Sequence, residues 1–153
     1  MSDDRTLIIT RVLDAPRDLV FAAWVDPHQA AQWWGPKGFT TVSNAMDVRV
    51  GGEWRRRLRS PEGAEHRSRG VYREIVAPER LVFTFVWEQG GTPGHGPETV
   101  VTVTLAELGQ NRTELTLRQE GFAATTARDA HNIGWSSSLD RLTEYFNRRG
   151  SQP

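Results

Sequence analysis

The sequence contains no cysteine, and lysine occurs only once, at Lys37. Without cysteine, disulfide frameworks and cysteine-based zinc or redox sites are excluded. The basic residues are almost all arginines, and 19 Lys and Arg balance 19 Asp and Glu. A chain without net charge produces no global field to attract nucleic acid or an anionic membrane. We therefore expect neither as a partner.

Long hydrophobic runs are also absent, and no stretch approaches the roughly 18 apolar residues of a membrane span. The amino terminus, MSDDRT, begins acidic and lacks the basic region and apolar core of a signal peptide. We therefore expect a cytoplasmic protein without a membrane span. The 153 residues suit one domain, placed at 1–153 with its core at about 6–148.

The order of predicted elements indicates the fold class. A strand is predicted at 6–13, two short helices at about 17–25 and 27–33, six strands near 39–48, 53–60, 64–76, 80–88, 98–107 and 112–120, and a long helix at about 126–148. The long helix carries an apolar stripe of Trp135, Leu139, Leu142 and Phe146. Strands followed by a helix predict an α+β domain, a curved seven-stranded antiparallel sheet wrapped around the terminal helix.

One hairpin can be given a register from its turn. Pro61-Glu62-Gly63 suits a three-residue loop, which would pair Ser60 with Ala64. Counting outward in steps of two places one set of side chains on a single face: Trp54, Arg56, Leu58, His66, Ser68, Gly70, Tyr72 and Glu74. The neighbouring arginines then face solvent as cross-strand partners of acidic residues: Arg55, Arg57, Arg67, Arg69 and Arg73.

Four blocks of sequence resemble a known family. DAPRDLVFAAWVDPHQAAQWWGP (14–36), DVRVGGEW (47–54), GVYREIVAPERLVFTF (70–85) and LRQEGF with GWSSSLDRL (117–122, 134–142) are similar to activator-of-heat-shock-protein-ATPase homologues. That group belongs to the START-like (SRPBCC) superfamily, which shares its fold with the birch-pollen allergen. The chain departs from the family pattern at Val50, where proline is frequent, and in the unusually basic run 55–59.

The resemblance implies a helix-grip fold with a ligand cavity between the sheet and the terminal helix. Superfamily members bind lipids, sterols, polyketides and plant hormones, and some are cyclases or oxygenase subunits. Natural ligands of the bacterial single-domain members are generally unassigned. The family's namesake is a co-chaperone with an additional amino-terminal domain, for which this chain has no room, so a chaperone partner is not favoured.

Aromatic and polar residues on the inward faces are the candidate ligand-binding residues. Their set is Trp33, Trp34, Trp54, Arg56, Leu58, His66, Tyr72, Phe83, Phe85, Trp87, His131 and Trp135. Trp33 and Trp34 could form a lid or be core, and the strand with Phe83, Phe85 and Trp87 could be core or pocket wall. On the same side of the terminal helix as the apolar stripe, the small residues Ala127, Ala130, Gly134 and Ser138 leave volume beneath its first half. The loop from Gly90 to Pro97 is placed at the cavity rim.

Catalytic and metal motifs are not found. His28, His66, His95 and His131 lack metal-ligand spacing, so no metal and no cofactor are expected. Gly134-Trp135-Ser136-Ser137-Ser138 begins like a nucleophile elbow but lacks its final glycine.

Three functions remain open at this stage. The first is binding of an apolar or amphipathic small molecule. The second is a cyclase- or hydrolase-type enzyme that uses His66 or His131 with Arg56 or Tyr72. The third is a co-chaperone-like protein interaction. The sequence also leaves a homodimer open.

Overall fold

The structure is a computed structural model that describes residues 5–88, 98–122 and 124–150, with side chains up to residue 148. Its elements are β1 (Thr6–Leu13), α1 (Arg17–Val25), α2 (Pro27–Trp33), β2 (Thr40–Met46), β3 (Glu53–Arg59), β4 (Glu65–Val76), β5 (Arg80–Trp87), β6 (Thr99–Glu107), β7 (Thr113–Glu120) and α3 (Thr125–Gly150). The predicted α+β class and element order are confirmed. The predicted rim loop 90–97 lies outside the described residues.

The boundary between α1 and α2 is set by Asp26 and Pro27. The Asp26 carboxylate accepts a hydrogen bond from the backbone N–H of His28 at 3.0 Å, and Pro27 occupies the first turn of α2. Hydrogen bonds from the Gln29 side chain and the His28 backbone hold the pKa of Asp26 below its usual value. The two short helices are therefore separate elements, as their capping residues predict.

All strand pairs are antiparallel and form one sheet in the order β1-β7-β6-β5-β4-β3-β2. The predicted hairpin register is confirmed, since Leu58 pairs with His66 and Trp54 with Gly70. In its turn, Gly63 has φ +93°, and the Ser60 N–H donates to the Ala64 carbonyl at 2.8 Å. Trp54, Arg56 and Leu58 are all buried on the inner face.

The direction of the Glu74 side chain in β4 differs from the prediction. The register of the β4–β5 pair shifts between Tyr72 and Glu74, which marks a bulge. The prediction that Glu74 faces inward was wrong, because the extra residue breaks the two-residue alternation. Its carboxylate is exposed and accepts a hydrogen bond from Arg80 Nε at 3.0 Å.

Helix α3 packs its apolar stripe against the inner face of the sheet. Trp135, Leu139, Leu142 and Phe146 are at most 5 % exposed. Upstream of Trp135 the side chains of α3 are exposed or only half-buried. The second half of the helix is therefore packed, whereas the first half stands over open volume.

The outer face of β3 and β4 carries arginines paired with acidic side chains. Arg57 Nη2 lies 2.8 Å from Glu65 Oε1, and Arg59 and Arg67 approach the same carboxylate. The Arg57 hydrogen bond, aided by Arg59, holds the pKa of Glu65 below its usual value. Arg55, Arg69 and Arg73 pair with Glu53, Glu88 and Glu98. All five predicted arginines thus pair with acidic residues at the surface, and Arg57 does so across the two strands as predicted. Arg55 and Arg67 instead approach Glu53 and Glu65 of their own strands.

A buried polar chain connects α3 to three strands. Trp135 Nε1 donates to Gln119 Oε1 at 2.8 Å, and Gln119 Nε2 donates to Thr99 Oγ1 at 2.8 Å. Thr99 Oγ1 donates in turn to the Phe85 carbonyl at 3.2 Å. Gln119 is fully buried, so each of these groups depends on its protein partner.

Gln119→Leu is expected to lower the free energy of unfolding by about 2 kcal/mol, because it leaves the buried Trp135 N–H without an acceptor. Chemical denaturation monitored by circular dichroism measures this change. The matched control is Gln110→Leu in the exposed β6–β7 turn, for which we expect a change within about 0.5 kcal/mol. Equal effects of the two substitutions would contradict the role given to the polar chain.

Candidate functional site

A cavity of about 250 Å³ lies beneath the first half of α3. Its walls come from three parts of the chain. The sheet contributes Leu58, His66, Phe85 and Trp87, the helix contributes Ala130, His131, Gly134, Trp135 and Ser138, and the segment after α2 contributes Trp34, Gly35, Pro36 and Phe39. The volume exists because α3 presents alanine, glycine and serine where larger side chains would reach the sheet.

The lining is mostly apolar and aromatic, with two histidines among its polar groups. Trp87 Nε1 donates a hydrogen bond to His131 Nε2 at 3.0 Å, so the imidazole is neutral with its proton on Nδ1. Burial lowers the pKa of His131 to about 4. The imidazole of His66 lies against the rings of Phe39 and Trp87. At neutral pH, His131 therefore adds no charge to the cavity.

The segment after α2 is held against α3 by a set of hydrogen bonds. The Gly35 N–H donates to Ser138 Oγ at 3.1 Å and the Lys37 N–H to Ser137 Oγ at 2.8 Å. Arg141 Nη1 donates to the carbonyl of Gly35 at 3.0 Å and to neighbouring carbonyls. The serines of the elbow-like motif thus fix one wall of the cavity.

Seven of the twelve predicted ligand-binding residues line this cavity: Trp34, Leu58, His66, Phe85, Trp87, His131 and Trp135. The sheet, the terminal helix and the segment after α2 thus each contribute to one concave surface. Trp34 lines the cavity and is only 7 % exposed, so it is a buried part of the cavity wall.

The other five predicted residues lie deeper in the molecule. Trp33 is fully buried and donates from Nε1 to the Ala23 carbonyl at 3.0 Å, which places it in the core between α1 and α2. Trp54, Arg56, Tyr72 and Phe83 line a separate void of about 10 Å³. Trp34 lines both spaces and separates them.

This separation bears on the enzyme alternative. That alternative needs a histidine and either Arg56 or Tyr72 around one point. The histidines line the larger cavity, whereas Arg56 and Tyr72 line the smaller void. Burial raises the pKa of Tyr72 to about 12, so its phenol is neutral at neutral pH. The structure therefore does not place His66 or His131 around the same cavity as Arg56 or Tyr72.

Several cavity residues were not among the predicted ligand-binding residues. Ala130, Gly134 and Ser138 were recognised only as small residues on the helix face, which was the available signal for them. Phe39 was predicted to begin the strand at 39–48, but β2 begins at Thr40, and Phe39 belongs to the segment after α2 that forms one wall of the cavity. Among residues 5–88, 98–122 and 124–150, no cluster of His, Asp and Glu could hold a metal ion.

Residues 14–147 match the family described as Activator of Hsp90 ATPase homolog 1-like protein. The chain belongs to this family. The match covers the sequence blocks on which the resemblance was recognised, and the START-like assignment is thereby confirmed.

Several solved structures are similar to this protein over nearly its whole chain. A protein from Chromobacterium violaceum has 32 % identity and a TM-score of 0.83, covering 94 % of this chain and 98 % of its own. The AHSA1 protein from Silicibacter pomeroyi has 24 % identity and a TM-score of 0.84, covering 94 % and 99 %. CalU16 from Micromonospora echinospora has 25 % identity and a TM-score of 0.69, covering 92 % and 75 %.

A comparison with proteins of curated function gave no match. Family membership therefore assigns a START-like fold, in which ligand binding is common, and no particular ligand. Within the described part of the chain, no helix has the length and apolar character needed to cross a bilayer.

Proposed function

We propose that this member of the Activator of Hsp90 ATPase homolog 1-like family binds an apolar or amphipathic small molecule between its sheet and α3. The observation that carries this proposal is the cavity of about 250 Å³ with its aromatic lining. Ligand sites are typically concave, mostly apolar and equipped with a few polar groups that fix orientation. The two histidines and Ser138 are polar groups of this kind.

Gly134 offers a way to close the cavity without disturbing its frame. It lies on the cavity side of α3, and a Cβ built there meets nothing within 4 Å. The neighbouring Ile133 is 74 % exposed and points to solvent. A bulky side chain at position 134 therefore enters the cavity, whereas one at position 133 extends into water.

Gly134→Phe is expected to weaken binding of the uncharged fluorescent probe N-phenyl-1-naphthylamine about tenfold or more. The ring occupies the volume that the probe needs, and phenylalanine is no worse than glycine inside a helix. Ile133→Phe, the matched control, is expected to bind the probe like the wild type. Probe titration by fluorescence measures both affinities.

The natural ligand is sought in parallel by native mass spectrometry of the purified protein, followed by extraction and identification of bound molecules. We expect the wild type and Ile133→Phe to retain a small molecule that Gly134→Phe lacks. A wild-type protein that binds neither the probe nor any small molecule would contradict the proposed function.

A further inference from the structure

The charge of Arg56 lies on the inner face of the sheet without a counter-ion. The residue is 2 % exposed, and no carboxylate of residues 5–88, 98–122 or 124–148 forms an ion pair with it. Its Nε and Nη1 atoms are buried without a hydrogen-bond partner. Nη2 donates a hydrogen bond to the sulfur of Met46 at 3.8 Å. The guanidinium thus has unused donors.

Two tryptophans compensate part of the cost of this buried charge. The guanidinium carbon lies 3.7 Å from the ring centroid of Trp34 and 5.2 Å from that of Trp54. Cation–π contacts stabilise a desolvated cation, yet they leave its N–H donors unsatisfied. Burial lowers the pKa of Arg56 to about 9, and the group remains protonated at neutral pH. The site therefore has a cation and lacks an anion.

Arg56 also lines a polar groove that it shares with Arg55, Arg57 and Arg67. On the side of Trp34 and Tyr72, the space beside Arg56 is limited while Trp34 is in place. The void that Arg56 and Tyr72 line has about 10 Å³, close to the minimum that a single water needs. On the other side of Trp34 lies the larger cavity. Displacement of this one side chain would join the two spaces.

Within the described residues, Trp34 differs from four of the other tryptophans in that no hydrogen bond fixes its indole ring. The indole nitrogens of Trp33, Trp54, Trp87 and Trp135 all donate hydrogen bonds. In the described part of the chain no such bond is found for Trp34, whose ring is held by packing against Trp24, Trp54 and Trp135. Because its ring is held by packing and by the cation–π contact with Arg56, Trp34 can change rotamer when a ligand replaces these contacts.

We infer that the ligand carries an anionic group, of which a carboxylate is the simplest, and that Arg56 binds it when the Trp34 side chain moves aside. The apolar part of the ligand then occupies the larger cavity. This inference rests on the proposed function and adds the chemical class of the ligand, an amphipathic organic anion. It also explains why a charged residue occupies an inward position of β3.

The test compares octanoate with 1-octanol, which share the apolar chain and differ in the charged group. Dissociation constants are measured at neutral pH by displacement of N-phenyl-1-naphthylamine. The wild type is expected to bind octanoate about tenfold more tightly than 1-octanol, because the carboxylate accepts charge-assisted hydrogen bonds from Arg56, which are stronger than those of a neutral hydroxyl. Equal affinity of the wild type for both compounds would overturn the inference without any variant being needed.

Arg56→Met removes the charge and keeps an apolar side chain of similar length. We expect octanoate to bind this variant about tenfold more weakly than the wild type, with 1-octanol unchanged within about twofold. Arg57→Met is the matched control, because it removes the same charge from the outer face, where Arg57 pairs with Glu65. The control is expected to keep the preference for octanoate.

The outcomes separate the two proposals. If the wild type binds the neutral probe, and binds 1-octanol with the same affinity as octanoate, the cavity binds ligands but the anion site is refuted. If Arg56→Met keeps the full preference, Arg56 is not the anion's partner and the inference fails. If nothing binds the wild type, the proposed function fails and the inference with it.

Discussion

Gly70→Ala is expected to lower the free energy of unfolding by about 3 kcal/mol or more, or to prevent folding. A Cβ at this position would overlap the backbone carbonyl oxygen of Thr84 and come within 2.5 Å of Trp54 Nε1. Neither group can easily move, because the carbonyl belongs to β5 and the indole donates to it at 3.2 Å. The close crossing of the Trp54 ring over β4 requires a residue without a side chain.

The same substitution at Gly134 provides the control. A Cβ there meets nothing within 4 Å, and the position lies inside a helix, where alanine is favoured over glycine by about 1 kcal/mol. Denaturant unfolding followed by tryptophan fluorescence should therefore show changes of opposite sign. A loss below about 1 kcal/mol for Gly70→Ala would mean that β4 and β5 separate readily at this point.

Much of this arrangement could be predicted from local sequence. The turn at Pro61-Glu62-Gly63 sets the register of β3 and β4, and the two-residue alternation then places Trp54 opposite Gly70 and Arg56 on the inner face. Such predictions succeed where pairing propagates regularly from a turn of known geometry. They fail at Glu74, because a bulge inserts one residue and no residue type in the sequence marks it.

The candidate site could be predicted only in part, because it depends on contacts between distant segments. Periodicity shows that Arg56 and Trp34 are available to the interior, but it does not show that the end of α2 lies over β3. That contact places the indole between the guanidinium and the larger cavity. Phe39 was missed for a related reason, since its place in the cavity wall depends on how the segment after α2 packs and not on the strand predicted at 39–48.

Below about pH 6.5, the free energy of unfolding is expected to depend on His131. Burial among the rings of Phe85, Trp87 and Phe122 lowers its pKa from 6.5 to about 4. Between these values the unfolded chain binds a proton that the folded protein does not. The contribution of His131 is therefore fully present above about pH 6.5 and decreases as the pH falls towards 4. The decrease amounts to about 3 kcal/mol at most.

His131→Gln isolates this contribution, because glutamine does not titrate and its carbonyl can still accept the Trp87 N–H. Urea denaturation at a series of pH values from 4 to 7 yields the free energy of unfolding of each protein. The contributions of titratable groups that both proteins share, including Asp26 and Glu65, cancel when the two free energies of unfolding are subtracted. We expect the difference to move in favour of the variant as the pH decreases, and a constant difference would show that the folded protein accommodates a charged imidazole in the cavity wall. Protonation of Nε2 also removes the acceptor of Trp87, but in the folded protein it occurs only as the pH approaches 4. Probe binding is therefore expected to be constant from pH 7 to about 5 and to weaken near pH 4 in the wild type more than in the variant.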